Sequence, residues 1–157
     1  MLQLKVKRGE WAKEFPLLHI AKDGDVGLDI AVALPPDQRD EGITIYPGDR
    51  YLVPTDIRIE LPKGYWASIE ARSSTSKRSI IVPKGVIDEG YRGELFAQLI
   101  NVGKEGVTIH HGDRLIQLIL HERIVKDFEI IEADELSDSE RGESGFGSSG
   151  QSAIVSE

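Results

Sequence analysis

Four hydroxyl side chains in a row, Ser73-Ser74-Thr75-Ser76, stand between Arg72 and Lys77 at the end of a strand-like run. Such a turn can present hydrogen-bond donors and positive charge to an anion, and it equally suits a helix N-cap followed by surface charge. Further on, Gly85-Val86-Ile87-Asp88-Glu89-Gly90-Tyr91-Arg92-Gly93-Glu94 sets an acid, Asp88, three residues after one glycine, and an aromatic, Tyr91, just before another. In a dry pocket Asp88 could take a proton from water, and Tyr91 could pack on a sugar ring. The same letters also spell a plain Asp-Glu-Gly hairpin turn. Asp29 alternates with apolar neighbours in Val26-Gly27-Leu28-Asp29-Ile30 and faces either solvent or a site. Near the C-terminus one cation and one aromatic, Arg141 and Phe146, stand among glycines that let backbone N–H groups approach a phosphate.

The elements that must hold these residues are strands. Apolar residues alternate with period two at Leu2/Leu4/Val6, Leu28/Ile30/Val32, Ile57/Ile59/Leu61 and Ile116/Leu118/Leu120. Turn signals separate them, among them Pro35-Pro36-Asp37, Tyr46-Pro47-Gly48-Asp49 and His111-Gly112-Asp113. That rhythm belongs to a sandwich, barrel or jelly roll. Helical turns are expected only at 9–15 and 75–78. One segment echoes another: Ile43-Thr44-Ile45-Tyr46-Pro47-Gly48-Asp49-Arg50-Tyr51-Leu52-Val53 aligns with Val107-Thr108-Ile109-His110-His111-Gly112-Asp113-Arg114-Leu115-Ile116-Gln117. The pair reads as two similar hairpins, and Gln117 stands where the first copy has Val53. A polar amide in an apolar strand needs a partner, so Gln117 satisfies a neighbouring backbone group or faces a ligand.

The chain has 157 residues, 39% hydrophobic and 29% charged, which suits one soluble domain. It contains no cysteine, which removes disulfides, thiolate metal sites and a cysteine nucleophile together. With no apolar leader and no apolar run of membrane length, the expectation is a cytoplasmic protein with no membrane partner. Net charge is -8, and residues 132–157 hold seven acids against Arg141 alone. The body is therefore nearly neutral and lacks the basic clusters that nucleic-acid binding draws on. The strand pattern stops at Ile131, so 1–131 reads as a core and 132–157 as an acidic linker with a Gly/Ser-rich tail, flexible on entropic grounds. The four histidines show no zinc-type pairing, and no nucleophile elbow or Walker loop occurs.

Taken in order, five stretches resemble the five motifs of the trimeric dUTP pyrophosphatase (dUTPase) family. They are 26–30, Ala71-Arg72-Ser73-Ser74, 85–93, Gly112-Asp113-Arg114-Leu115-Ile116-Gln117-Leu118, and Arg141-Gly142-Glu143-Ser144-Gly145-Phe146-Gly147-Ser148-Ser149-Gly150. The resemblance implies an all-β, distorted jelly-roll subunit of the β-clip type, a flexible C-terminal lid, and a homotrimer whose three sites each draw on more than one chain. It implies cleavage of dUTP to dUMP and pyrophosphate with Mg²⁺.

Carried over by position, Asp88 becomes the water-activating base and Tyr91 the ring that packs on deoxyribose and excludes a 2′-hydroxyl. Arg72, Ser73 and Ser74 become the phosphate turn, and Gln117 a further phosphate contact. Asp29 becomes the motif-one acid beside Arg72, near the metal and touching it through water. The uracil-reading backbone falls around 81–85, and Gly85 and Ile87 join the substrate contacts; Pro83 lacks an N–H, so no single donor is assigned. Phe146 covers the base, while Arg141, Gly147, Ser148 and Ser149 are the tail's substrate contacts. Leu28, Ala71 and Ser144 depart from the family's usual residues without removing a group that does chemistry. Two alternatives share this reading. A dCTP deaminase, alone or bifunctional, would need a proton-shuttling glutamate where Gln98 stands; a nucleotide-dependent interaction protein would keep the site and signal through the tail.

Overall fold

The computed structural model describes residues 1–18, 20, 22–124, 128–135 and 137–139. Met1–Lys126 forms one compact unit and Asp127–Glu157 a second. The first carries β1 (Lys5–Arg8), β2 (Gly27–Ile30), β3 (Ile43–Ile45), β4 (Arg50–Glu60), β5 (Tyr65–Ala71), β6 (Ile80–Ile81), β7 (Gly85–Ile87), β8 (Glu94–Asn101), β9 (Val107–Ile109) and β10 (Ile116–Glu122). One four-stranded sheet runs β1-β4-β8-β6, a second β2-β10-β5-β7, and β3 pairs with β9 alone. The described residues of the second unit hold no strand or helix, and Phe128, Ile130 and Ile131 are exposed. No helix among the described residues is long and apolar enough to cross a membrane.

Strand alternation builds the core. Val53, Ile57 and Ile59 of β4 and Leu95, Ala97 and Leu99 of β8 are buried, as are Ala67 and Ile69 of β5 and Ile116 and Leu118 of β10. Each fully buried Ile or Leu contributes about 1.5–3 kcal/mol, so these inner rows hold the two sheets together as a distorted jelly roll. Pro54 sits inside β4, where it cannot donate to the ladder. The register with β8 shifts between Pro54 and Arg58, and Asp56 takes a positive φ of 52° in that bulge. The bulged Asp56 anchors the N-terminal segment, accepting hydrogen bonds from Trp11 N–H on its carboxylate (2.8 Å) and from Gly9 N–H on its carbonyl (2.8 Å).

The two echoing segments are not hairpins. Their first strands pair with each other, Thr44 opposite Thr108, while their second strands, β4 and β10, lie in different sheets. Self-similarity identified a repeated turn, but pairing was decided by which apolar face each strand had to bury. Likewise 88–93 is a crossover between sheets and not a hairpin turn, because β7 pairs with β5 while β8 pairs with β4 and β6. At the N-terminus β1 begins only at Lys5, and Leu2 is exposed. Residues 75–78 form the expected helical turn, a 3₁₀ turn. Residues 9–15 form turns without a helix, and a second 3₁₀ turn lies at Pro36–Gln38. Pro36 pre-sets φ for that first helical position.

Candidate active site

Two strands and two turns converge on a polar cleft of about 270 Å³, lined by Asp25, Gly27, Asp29, Arg72, Ser73 and Gln117. Asp29 on β2 and Gln117 on β10 are opposite each other in the antiparallel register, so their side chains share one sheet face. Arg72 enters from the turn after β5. Its Nε donates to Asp29 Oδ1 at 2.8 Å and its Nη1 donates to the Arg114 carbonyl at 3.0 Å. The Arg114 guanidinium lies 3.6 Å from Asp29 Oδ2. One carboxylate thus sits between two guanidiniums, and Arg72 is held at two of its three nitrogens. Its Nη2 donates to no described residue, so that corner of the fork remains for an anion.

The hydroxyl turn is built from inside. Thr75 is buried and its Oγ1 donates to the Leu115 carbonyl at 2.6 Å, Arg72 N–H donates to the same carbonyl at 3.0 Å, and Ser76 Oγ donates to the Ser73 carbonyl at 3.2 Å. Ser73 and Ser74 stay exposed. Gln117 resolves both ways: its Nε2 donates to the Ala71 carbonyl at 3.0 Å, while its side chain lines the cleft. A Cβ at position 27 would overlap Gln117 Oε1, so Gly27 makes room for that amide. On the same face Glu70 lies opposite Gln117. A hydrogen bond from Lys84, then one from Ser68, holds its carboxyl below the usual range.

Asp88 and Tyr91 are elsewhere. Asp88 lines a separate cleft of about 500 Å³ with Trp66, Val86, Glu89, Gly90 and Arg123. It is exposed, and its carboxylate takes no hydrogen bond from any described residue. Tyr91 is also exposed; its hydroxyl donates to the Glu94 carbonyl at 2.8 Å, and its ring lies where a side chain at Gly93 would collide with it. Gly85 and Ile87 lie on β7, paired with Ile69 and Ala67 of β5, and Ile87 points into the core. Arg141, Phe146, Gly147, Ser148 and Ser149 lie outside the described residues. The structure therefore gathers Asp29, Arg72, Ser73 and Gln117 and leaves Asp88 and Tyr91 apart.

A model of the dUTPase family matches residues 13–150. The chain belongs to the dUTPase family. Among curated relatives of this dUTPase-family chain, the deoxyuridine 5′-triphosphate nucleotidohydrolase of Dinoroseobacter shibae is 40% identical over 154 residues, covering 96% of this chain and 98% of the relative. That of Caldanaerobacter subterraneus is 39% identical over 150 residues, covering 94% and 97%. Among solved structures, the Staphylococcus bacteriophage 80alpha dUTPase with dUPNHPP superposes with a TM-score of 0.81 at 25% identity, covering 95% of this chain and 99% of that one. The fold is the jelly-roll, β-clip fold of these dUTPases.

Arg114, Asp25, Trp66 and Arg123 were not singled out from the sequence. Only Arg114 carried a signal, as the arginine of the repeated Gly-Asp-Arg turn.

Proposed function

We propose that this chain hydrolyses dUTP to dUMP and pyrophosphate in the cytoplasm, as a homotrimer whose sites each combine groups from more than one copy. The observation that carries the reading is the cleft in which Asp29 and the Arg114 carbonyl fix Arg72 beside Ser73 and Gln117. A cation held at two of its nitrogens keeps its remaining donors in place for an anion before the anion arrives, and such preorganisation lowers the barrier when phosphate charge shifts. In this reading Arg72, Ser73, Ser74 and Gln117 hold the triphosphate. Asp88 takes the proton from a water molecule as its oxygen attacks the α-phosphorus. The bond from that phosphorus to the bridging oxygen breaks, and pyrophosphate leaves with the electron pair. Tyr91 packs on deoxyribose, and the backbone around 81–85, with Gly85 and Ile87, reads the base.

Sharing of the site is supported by the two clefts, since Asp88 and Arg72 line different ones on a single chain. An apolar outer face supports self-association. Leu52, Phe96 and Ile81 are exposed on the same outer face of β4, β8 and β6, where a soluble monomer gains nothing from showing them. Residues 132–157 are proposed as linker and lid, with Phe146 covering uracil and Arg141, Gly147, Ser148 and Ser149 meeting the nucleotide.

Among the described residues no three His, Asp or Glu side chains converge as a metal cage. Asp25 and Asp29 are the carboxylates on the polar cleft. One or two carboxylates with substrate phosphates and water is the ligand set Mg²⁺ accepts, so the residues fit a magnesium carried by the triphosphate, with Asp29 reaching it through water. Bound there, Mg²⁺ would neutralise phosphate charge.

Pyrophosphate release from dUTP with Mg²⁺, with dCTP and UTP alongside, tests the reading. Turnover of dUTP well above both others is the expected result. Ammonia release from dCTP without dUTP hydrolysis would overturn it, in spite of the neutral Gln98 amide.

A further inference from the structure

The crossover that carries Asp88 and Tyr91 is held to the body of the chain by very little. Among the described residues, the hydrogen bonds of segment 88–93 close locally. Tyr91 N–H donates to the Asp88 carbonyl (3.0 Å), Tyr91 Oη to Glu94 (2.8 Å), and Arg92 Nη1 to the Glu89 and Tyr91 carbonyls (2.8 and 2.9 Å). The exception is Glu89. Its Oε2 accepts the backbone N–H of Gly64 at 2.8 Å and lies 3.5 Å from Arg123 Nη2. Gly64, at φ +84°, is the turn between β4 and β5, and its carbonyl accepts the N–H of Arg123 at 2.7 Å, just past β10. Both backbone groups of one glycine are thereby used, and three segments far apart in sequence meet at one carboxylate.

We infer that Glu89 is a positioning residue for the neighbouring Asp88. This rests on the dUTPase reading, in which Asp88 is the base, and adds what holds that base in place. Asp88 has no side-chain bond of its own to a described residue, so the position from which its carboxylate reaches out is set by the backbone. That backbone is tied across the fold one residue later, at Glu89. The carboxylate is partly buried, with 28% of its side chain exposed, and it accepts a main-chain donor, so the bond to Gly64 is better sheltered than a surface ion pair. Freed from Gly64, the crossover would swing on its local bonds alone. A displacement of about 1 Å at a reacting group can cost on the order of 10²-fold in rate.

The test is a double-mutant cycle on the full-length chain with dUTP. Glu89→Ala should lower kcat roughly 10- to 100-fold while KM rises by a smaller factor, since phosphate and base contacts are untouched and only the sugar contact of Tyr91 moves with the crossover. Glu89→Gln keeps an oxygen for the Gly64 N–H and should retain a third or more of wild-type kcat, which a role through charge on Arg123 would not allow. In an Asp88→Asn background, Glu89→Ala should lower residual turnover no further, because Glu89 acts through Asp88. If Glu89→Ala fails to fold, the Gln variant decides alone: activity near wild type supports the inference, and a loss equal to that of Asp88→Asn overturns it. Wild-type kcat in Glu89→Ala, or a further loss on top of Asp88→Asn, also overturns it. If wild type itself leaves dUTP intact, it is the dUTPase reading that fails.

Discussion

The two Gly-Asp-Arg turns make the same backbone bonds and do different work. In the first, Asp49 N–H closes on Tyr46, Gly48 N–H donates to the Asn101 carbonyl, and Asn101 N–H returns to Asp49. In the second, Asp113 N–H closes on His110, Gly112 N–H donates to the Val32 carbonyl, and Val32 N–H returns to Asp113. Both glycines take a positive φ, 83° and 87°, which a side chain would resist. The docking strand makes the difference. The first turn binds the end of β8, where the buried Asn101 side chain spends its hydrogen bonds on Ile45, Gly103 and Glu105. The second binds the chain just past β2, two residues from Ile30 and three from Asp29. A turn repeated for its shape here brings Arg114 to the Asp29 carboxylate, and Gln117 in place of Val53 puts an amide on the cleft.

The largest effect in this comparison is expected at Asp29, which has no counterpart beside the first turn. Asp29→Asn leaves the Arg72 and Arg114 guanidiniums without their shared anion, so kcat/KM for dUTP should fall about 10²- to 10³-fold. A fall below about tenfold would show that Arg72 is positioned by its neighbours' backbone alone.

Exchanging the contrasting residues sharpens the point. Gln117→Val should leave the fold intact and lower kcat/KM roughly 10- to 100-fold, the worth of a hydrogen bond to a charged group. Val53→Gln, buried in β4, should instead spare kcat in the folded fraction and cost about 1–3 kcal/mol of stability by urea unfolding. Equal effects of the two on kcat would end the distinction between the turns.

The matched arginines come next. Arg114→Ala removes one of Asp29's two cations and should lower kcat/KM about tenfold, whereas Arg50→Ala, exposed on β4, should stay within about twofold. Similar losses in both would mean that the arginines serve the turn and not the cleft.

The alternating strands and the hydroxyl turn at 75–78 were legible because period and composition are local properties. The partners of the repeated turn were not. Strand alternation fixes which face is buried but not which strand lies beside it, so β3–β9 pairing and the 88–93 crossover had no signature in the letters. Asp29, Arg72 and Gln117 were visible as polar residues in apolar or turn settings, and the structure brings them into one cleft. Glu89 was hidden, and the repeated turn that marked Arg114 did not show its target, for a different reason. Their partners, Gly64 and Asp29, are 25 and 85 residues away, and an isolated acid or arginine reads as surface charge.

The smallest effect concerns His111, one of the two imidazoles of the second turn. His111 replaces Pro47; its Nδ1 accepts Leu34 N–H at 2.9 Å, and its Nε2 lies 2.9 Å from Glu14 Oε1. The contact with His111, followed by the charges of His111 and Arg39, holds the Glu14 carboxyl below its usual value of 4.5. A lowered folded value means stability that is present above the unfolded value and lost as pH falls through the folded one. His111→Pro should flatten that part of the acid limb below about pH 4.5 in thermal melts while dUTP turnover near neutral pH changes little. An unchanged acid limb would assign Glu14 to Arg39 alone.

The central claim, that Asp88 and the Arg72 cleft serve one site only across copies of the chain, is tested most directly by complementation. Asp88→Asn and Arg72→Ala chains, each inactive alone, are co-expressed and purified together. In closed cyclic trimers each site takes Asp88 from one copy and Arg72 from another, so about a quarter of wild-type dUTP turnover should return at equal mixing. Mixed trimers, proved by mass, that stay as inactive as either parent would contradict the account and return both residues to a site within one chain.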